Sequence, residues 1–282
     1  MEILDTHQHL WDLDRLSYSW CRRTQVLNRS FTTTDYLIAS SDTGVTGSIF
    51  VEADVDEPDV LAETRFALAL AESDTVLSPP MLGVVAAIRP ESSEFRPYLE
   101  SIASHPRLKG VRRILHTEPD ELSTGAQFRD NVALLEDYGL SFDLCVLARQ
   151  LPLAIELVDW CPRVAFILDH VGNPPIREGN LENWRADLRQ LSLRPNVSCK
   201  LSGLVTQADH QQWTAGDLRP VIEHAIECFG WDRVLFGSDW PVCTRASTLR
   251  RWVEALMELT MHCGEENQRK LFRANAARIY RC

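Results

Sequence analysis

Several things are scarce or missing in this sequence, and each shortage narrows what it can be. There is no CxxC pair: the eight cysteines, at positions 21, 145, 161, 199, 228, 243, 263 and 282, stand singly. That excludes zinc-ribbon and thioredoxin-like motifs and leaves reduced thiols serving as packing residues. No apolar run approaches the length of a membrane span, which argues against a helical membrane protein. Basic residues are in deficit, 29 against 40 acidic ones for a formal charge of −11, and this speaks against nucleic acid or an anionic membrane as a partner. No Gly, Ser or Pro-rich linker divides the chain, so one domain over residues 1–282 is expected, with a small molecule as its partner. Finally, no GxGxxG follows the first strand pattern and no GxSxG occurs, which removes a dinucleotide site and a serine nucleophile elbow.

What is present is a repeated unit. Residues 234–242, VLFGSDWPV, run three apolar residues into Gly237, Ser238 and Asp239 before Trp240 and Pro241 stop the run. This reads as a short, doubly buried strand that delivers a carboxylate at its end. At the other end of the chain residues 2–9, EILDTHQH, form a strand pattern in which Ile3, Asp5, His7 and His9 share one face. Between them, apolar strand patterns at 45–53, 82–88, 108–114, 140–146, 164–170 and 196–202 alternate with helical patterns at 58–72, 92–104, 127–138, 151–161, 181–191 and 217–228. Eight strands alternating with helices predict an α/β protein with the architecture of a (β/α)8 TIM barrel, closed by helices at 248–261 and 265–280. The first strand pattern begins at Glu2, which leaves no room for a signal peptide, and a cytoplasmic protein is expected. The long aperiodic stretch 10–33 reads as a lid or pocket wall.

In such a barrel the C-terminal strand ends converge, and here they carry His7, His9, Glu52, Arg112, Asp143, His170, Lys200 and Asp239. Two imidazoles on one strand end, with a carboxylate on the adjacent last strand, fit a metal or proton-transfer group; the plainer alternative is a pair of hydrogen-bonded core histidines. Asp239 and His170 are the candidate catalytic residues, although an aspartate there could cap a helix and a histidine could cap a turn. Arg112 and Lys200 point inward, where an unpaired charge is costly, so Glu52 and Asp143 are either their ion-pair partners or, with them, contacts to substrate. Trp11, Trp20 and Trp240 could stack on a sugar face or pack the core. His116 is expected at the surface or the rim.

Together DTHQHLW, GVRR, LDHVGNP, KLSGL and FGSDWPV resemble the amidohydrolase superfamily in its branch of sugar lactonases, in the right order and across nearly the whole chain. The resemblance implies a barrel hydrolase of the amidohydrolase type that opens a sugar-acid lactone. His7 and His9 would be the metal ligands, and Asp239, His170 and Arg112 the catalytic residues. Trp11, Glu52, Asp143, Lys200 and Trp240 would hold the ring. Arg112 stands where binuclear members carry a bridging lysine carbamate, and Asp143 replaces a histidine, so the resemblance implies one divalent ion, zinc, or metal-independent work. It leaves the oligomeric state, including a homo-oligomer, open. The rival reading is a zinc-dependent decarboxylase of an aromatic or unsaturated acid on the same barrel.

Overall fold

The structure is a computed structural model that describes residues 1–73 and 79–282. Its strands are β1 (Ile3–Gln8), β2 (Val45–Val51), β3 (Met81–Ala87), β4 (Leu108–Ile114), β5 (Ser141–Cys145), β6 (Phe166–Leu168), β7 (Val197–Leu201) and β8 (Val234–Phe236). They form one sheet in sequence order with every neighbouring pair parallel. Helices or helical turns follow each strand, so the expected (β/α)8 barrel is what the chain adopts. No helix among the described residues is long and apolar enough to cross a membrane. All eight cysteines are free, and five of them are buried.

The alternation of side chains explains the layers. Val111, Phe142, Leu144, Phe166, Leu168, Cys199, Leu201 and Phe236 face outward into the main core beneath the helices, while Leu4, Ile49, Val51, Val85, Ile167 and Leu235 turn inward. The inward set packs on Ala276 and Tyr280 of the last helix, which plugs the barrel from the strands' starting ends. Asn275 fixes that plug by donating to the carbonyls of Trp231 and Val234.

The seam between β1 and β8 is closed by a different device. These strands meet through the Gln8–Trp240 bridge, the His9 N–H to Trp240 carbonyl bond (2.8 Å) and the Asp239 N–H to His7 carbonyl bond (2.8 Å). Asp5 accepts from the Ser238 N–H (2.8 Å) and the Tyr36 hydroxyl (2.8 Å), so it faces the helix layer. His7, by contrast, lies beside Lys200 and Asp169 inside the barrel. The expectation that Ile3, Asp5, His7 and His9 share one face is therefore corrected: the register slips between Asp5 and Gln8, and the slip separates the seam clasp from the two histidines.

Candidate active site

Residues from seven of the eight strand ends, and from the loop carrying Trp20, enclose a cavity of about 290 Å³ at the barrel mouth. His9, Asp54, Arg112, His116, His170 and Asp239 set convergent polar groups into a wall that is otherwise mostly apolar. A larger groove, about 850 Å³, runs along Glu2, Gln268 and Arg273 at the opposite end, remote from the histidines, and the Glu2–Arg273 ion pair (3.3 Å) lies along it. Convergent chemistry, not size, marks the mouth as the site.

Two glycines make the approach of the histidines possible. A Cβ at Gly237 would come within 2.7 Å of the His7 Cβ, and one at Gly203, whose φ is +63°, within 2.4 Å of the His170 Nδ1. The FGSDWPV and KLSGL motifs thus hold space for imidazoles on neighbouring strands. Strain gathers at the same place: His170, Val171 and Asn173 have φ of 52°, 55° and 49°, and Asp239 has 57°. A β-branched valine in that region is unfavourable, and the surrounding packing holds it there so that His170 enters the cavity.

Each imidazole has a fixed orientation. His9 Nδ1 is 2.8 Å from the Val51 carbonyl, which can only accept, so Nδ1 donates there and Nε2 is turned to Asp239 Oδ1 at 3.4 Å. His7 Nδ1 is 3.3 Å from Asp169 Oδ1, and its Nε2 is 3.9 Å from the same Asp239 oxygen. Burial holds His7 well below the usual histidine range, against the pull of Asp169, so it is neutral. His170 is also held down by burial, although Asp239 and Asp169 pull the other way. Ser202 Oγ accepts the His170 backbone N–H (3.3 Å) and lies 2.9 Å from its Nδ1. With the hydroxyl donating to Nδ1, Nε2 carries the ring proton.

His7, His9 and Asp239 are therefore a group able to hold a metal ion. Their nitrogen-to-oxygen separations, 3.4 and 3.9 Å, sit close to the roughly 3.3 Å edge of a tetrahedron with bonds of about 2.05 Å. The second group, His7, Asp169 and His170, already has a cation: Lys200 Nζ is 3.1 Å from Asp169 Oδ1 and 3.4 Å from His7 Nδ1. Arg112 Nη1 also stands 3.3 Å from His7 Nε2, a charge that opposes tight binding of a dication.

Beneath the cavity lies a network of charges. Arg112 donates through Nε to Glu52 Oε1 (2.7 Å), through Nη1 to Asp169 Oδ2 (3.0 Å) and through Nη2 to the Glu52 carbonyl (2.5 Å). Lys200, wholly buried, bridges Asp143 (2.5 Å) and Asp169. Burial works to raise the Asp169 pKa, but Lys200, His7 and Arg112 outweigh it and hold the carboxyl well below its ordinary range. Asp143 moves the other way, pushed up to about 6 by burial with Lys200 restraining it.

The structure brings His9, His170, Arg112 and Asp239 to the cavity wall, with His7 directly behind them. It does not bring the expected ring-binding set there. Glu52, Asp143 and Lys200 are consumed by the interior network, so substrate contact by these residues is corrected to charge pairing. Trp11 is wholly buried among Tyr18, Trp20 and Phe31, and Trp240 packs on Phe31 and Tyr36; both are core residues. Trp20 alone of the three lines the cavity. Asp169 escaped sequence reasoning, although two inward cations with two candidate carboxylates left room for a third acid, and LDH supplied one. Asp54, at φ 55° in the cavity wall, is pushed up to about 6 by burial and then by the Glu52 charge; no sequence signal singled it out. His116, expected at surface or rim, is half-buried in the cavity wall.

Comparison with known proteins gives the family of the chain. Residues 4–282 match the family model described as Amidohydrolase. An L-fucono-1,5-lactonase of Burkholderia multivorans is 31% identical over 98% of this chain and 95% of its own length. Another, of Burkholderia ambifaria, is 27% identical over 99% and 95%. The crystal structure of an amidohydrolase from Burkholderia multivorans with bound zinc is 29% identical and superposes with a TM-score of 0.89, covering 100% of this chain and 99% of that one.

Proposed function

We propose that this chain, which belongs to the amidohydrolase family, is a lactonase that opens the ring ester of a sugar-acid lactone such as L-fucono-1,5-lactone by attack of water. The observation that carries the reading is the meeting of a cavity carboxylate, Asp239, with an N–H donor on His170 and the Arg112 guanidinium. The relatives named for L-fucono-1,5-lactone supply the class of ester.

Ring-ester hydrolysis needs a deprotonated water, a donor for the carbonyl oxygen and a proton for the departing alkoxide. Asp239, set beside the imidazoles of His7 and His9, accepts the proton from water and returns it to the alkoxide. His170 Nε2–H and the remaining Nη2–H of Arg112 face the carbonyl oxygen. Arg112 holds its plane because Glu52 and Asp169 fix it on two sides. Neutral histidine donors match the site: their N–H groups do not ionise near neutrality, so they polarise without surrendering a proton. When a divalent ion such as zinc is held by His7 Nε2, His9 Nε2 and Asp239, it supplies Lewis-acid polarisation.

A panel of aldonolactones of five to seven carbons, read with a pH indicator, tests this directly. Acid release above the spontaneous rate supports the lactonase; silence across the panel overturns it, and carbon dioxide release from hydroxybenzoates would move the chain to the decarboxylases. Elemental analysis should find no more than one tightly held divalent ion per chain, because Lys200 and Arg112 already neutralise the neighbouring positions.

A further inference from the structure

We propose that His116 is a specificity-determining residue that donates a hydrogen bond from Nε2 to a hydroxyl of the bound lactone ring, with Cys145 holding it in that tautomer; this rests on the lactonase reading. The pair is built by the sheet. Ile114 of β4 pairs with Cys145 of β5, and the His116 N–H donates to the Cys145 carbonyl at 3.2 Å. The side chains then meet at 3.1 Å, Nδ1 to Sγ, and both line the cavity.

Neither group is a nucleophile or a base. Burial pushes the Cys145 thiol far above its ordinary range, so no thiolate forms there. Burial, followed by the charges of Arg112 and His170, holds His116 down to about 4, so the imidazole is neutral. The strongest acceptor within reach of the S–H is the imidazole lone pair, whereas the thiol sulfur is itself a poor acceptor. S–H donation to Nδ1 leaves the ring proton on Nε2. That nitrogen has no partner among the described residues, and it is not sealed from the cavity.

Position gives the donor its role. In a barrel ordered β1 to β8, β4 and β5 stand across from the seam where Asp239, His7 and His9 meet. A ring whose carbonyl lies against Asp239 turns its distal atoms toward the β4–β5 wall. On a sugar lactone those atoms carry hydroxyls, and a neutral N–H facing them favours a hydroxylated ring over a bare one. A ring without the hydroxyl leaves that donor unpaired, the asymmetry that makes polar sites selective.

The test compares L-fucono-1,5-lactone with δ-valerolactone, the same six-membered ester without hydroxyls, in the wild type and in H116F, H116Q and C145A. In H116F the ratio of kcat/KM for the sugar lactone over δ-valerolactone should fall about tenfold to a hundredfold, mainly through KM. H116Q, whose amide N–H reaches the position of Nε2–H, should stay within about threefold of the wild-type ratio, and C145A should fall between the two. An unchanged ratio in H116F overturns the proposal. A second arm needs no turnover: nitrogen NMR of histidine-labelled wild type should show His116 unprotonated at Nδ1 and protonated at Nε2 between about pH 6 and 8. The opposite tautomer, or protonation in that range, also overturns it. If the wild type opens neither lactone, the lactonase reading is what has failed, and the NMR arm still decides the tautomer.

Discussion

The charges around Lys200 and the group around Asp239 are both sets of ionisable side chains inside one barrel, yet they are built to opposite ends. Around Lys200 every cation has its acid: Lys200 holds Asp143 and Asp169, and Arg112 holds Glu52 and Asp169, with exposures from 0 to 3%. Around Asp239 the imidazole nitrogens of His7 and His9 converge on one carboxylate oxygen at and just behind the cavity floor, with the Arg112 guanidinium 3.3 Å from His7 Nε2. A buried pair that is complete is structure, whereas donors left converging are chemistry. Arg112 belongs to both sets, since its partners lie below while it also lines the cavity.

The sharpest way to break this contrast is to neutralise one member of each set. Asp239→Asn keeps the shape and deletes the proton acceptor, so kcat should fall by a factor of roughly 10² to 10⁴ while the thermal midpoint hardly moves. Near wild-type turnover above the spontaneous background would place the base elsewhere. Lys200→Met should act in the other sense. It leaves Asp143 buried without a cation and Asp169 with Arg112 alone, and urea unfolding should show a loss of about 3–5 kcal/mol. Unchanged stability with a raised KM would mean that Lys200 reaches substrate after all.

Much of this contrast was legible in the chain itself, because parity along a strand is a local property. Asp143 and Lys200 each sit between outward apolar neighbours and Arg112 follows outward Val111, so their inward direction followed from period two. Their destination did not follow, since whether an inward charge meets another charge or a ligand depends on depth in the barrel, which no alternation encodes. β1 failed for a related reason: a register slip after Asp5 is invisible to a pattern that assumes regular pleating. For Trp11 and Trp240 the sequence leaves two destinations open, because an indole suits a sugar face as well as a core, and only the packing of Phe31 and Tyr36 decides. His116 gained its place from a loop, where the strand rules stop.

A third probe lies at the edge of the interior network, where one acid is buried without a cation. Glu63 Oε1 accepts from the Tyr18 hydroxyl (3.0 Å) and the Ala53 N–H (3.0 Å), while Oε2 has no partner. Burial, with the nearby Glu52 charge, pushes it up to about 8. The native protein keeps this proton up to about pH 8, whereas the unfolded chain releases it near the ordinary glutamate value of 4.5, so the site's contribution to stability falls as pH rises through that window. Glu63→Gln cannot ionise. Its stability relative to wild type should grow by a few kcal/mol between about pH 5 and pH 9, measured by urea unfolding at each pH. A pH-independent difference would show that Glu63 is already ionised in the native state.

The smallest expected effects separate two tryptophans that sequence could not tell apart. Trp11 is wholly buried and donates to the Arg29 carbonyl at 2.7 Å, whereas Trp20 is half-buried, donates to the Ala53 carbonyl at 2.8 Å and faces the cavity. Trp11→Phe opens a void and leaves that carbonyl without its donor, which should cost about 1–2 kcal/mol of stability with KM unchanged. Trp20→Phe removes cavity wall next to Asp54 and should raise KM about twofold to fivefold, with little change in the thermal midpoint. Parallel measurement of KM and unfolding midpoint in both variants makes the comparison. The two rings touch edge to face at 5.4 Å, so a double variant tests whether they act as one body. If the effects on KM and stability add, the loop carrying Trp20 is a wall resting on a separate core. If Trp11→Phe alone raises KM as much as Trp20→Phe, the packing beneath the loop sets the shape of the cavity, and the boundary between structure and chemistry runs through Trp20 instead of beneath it.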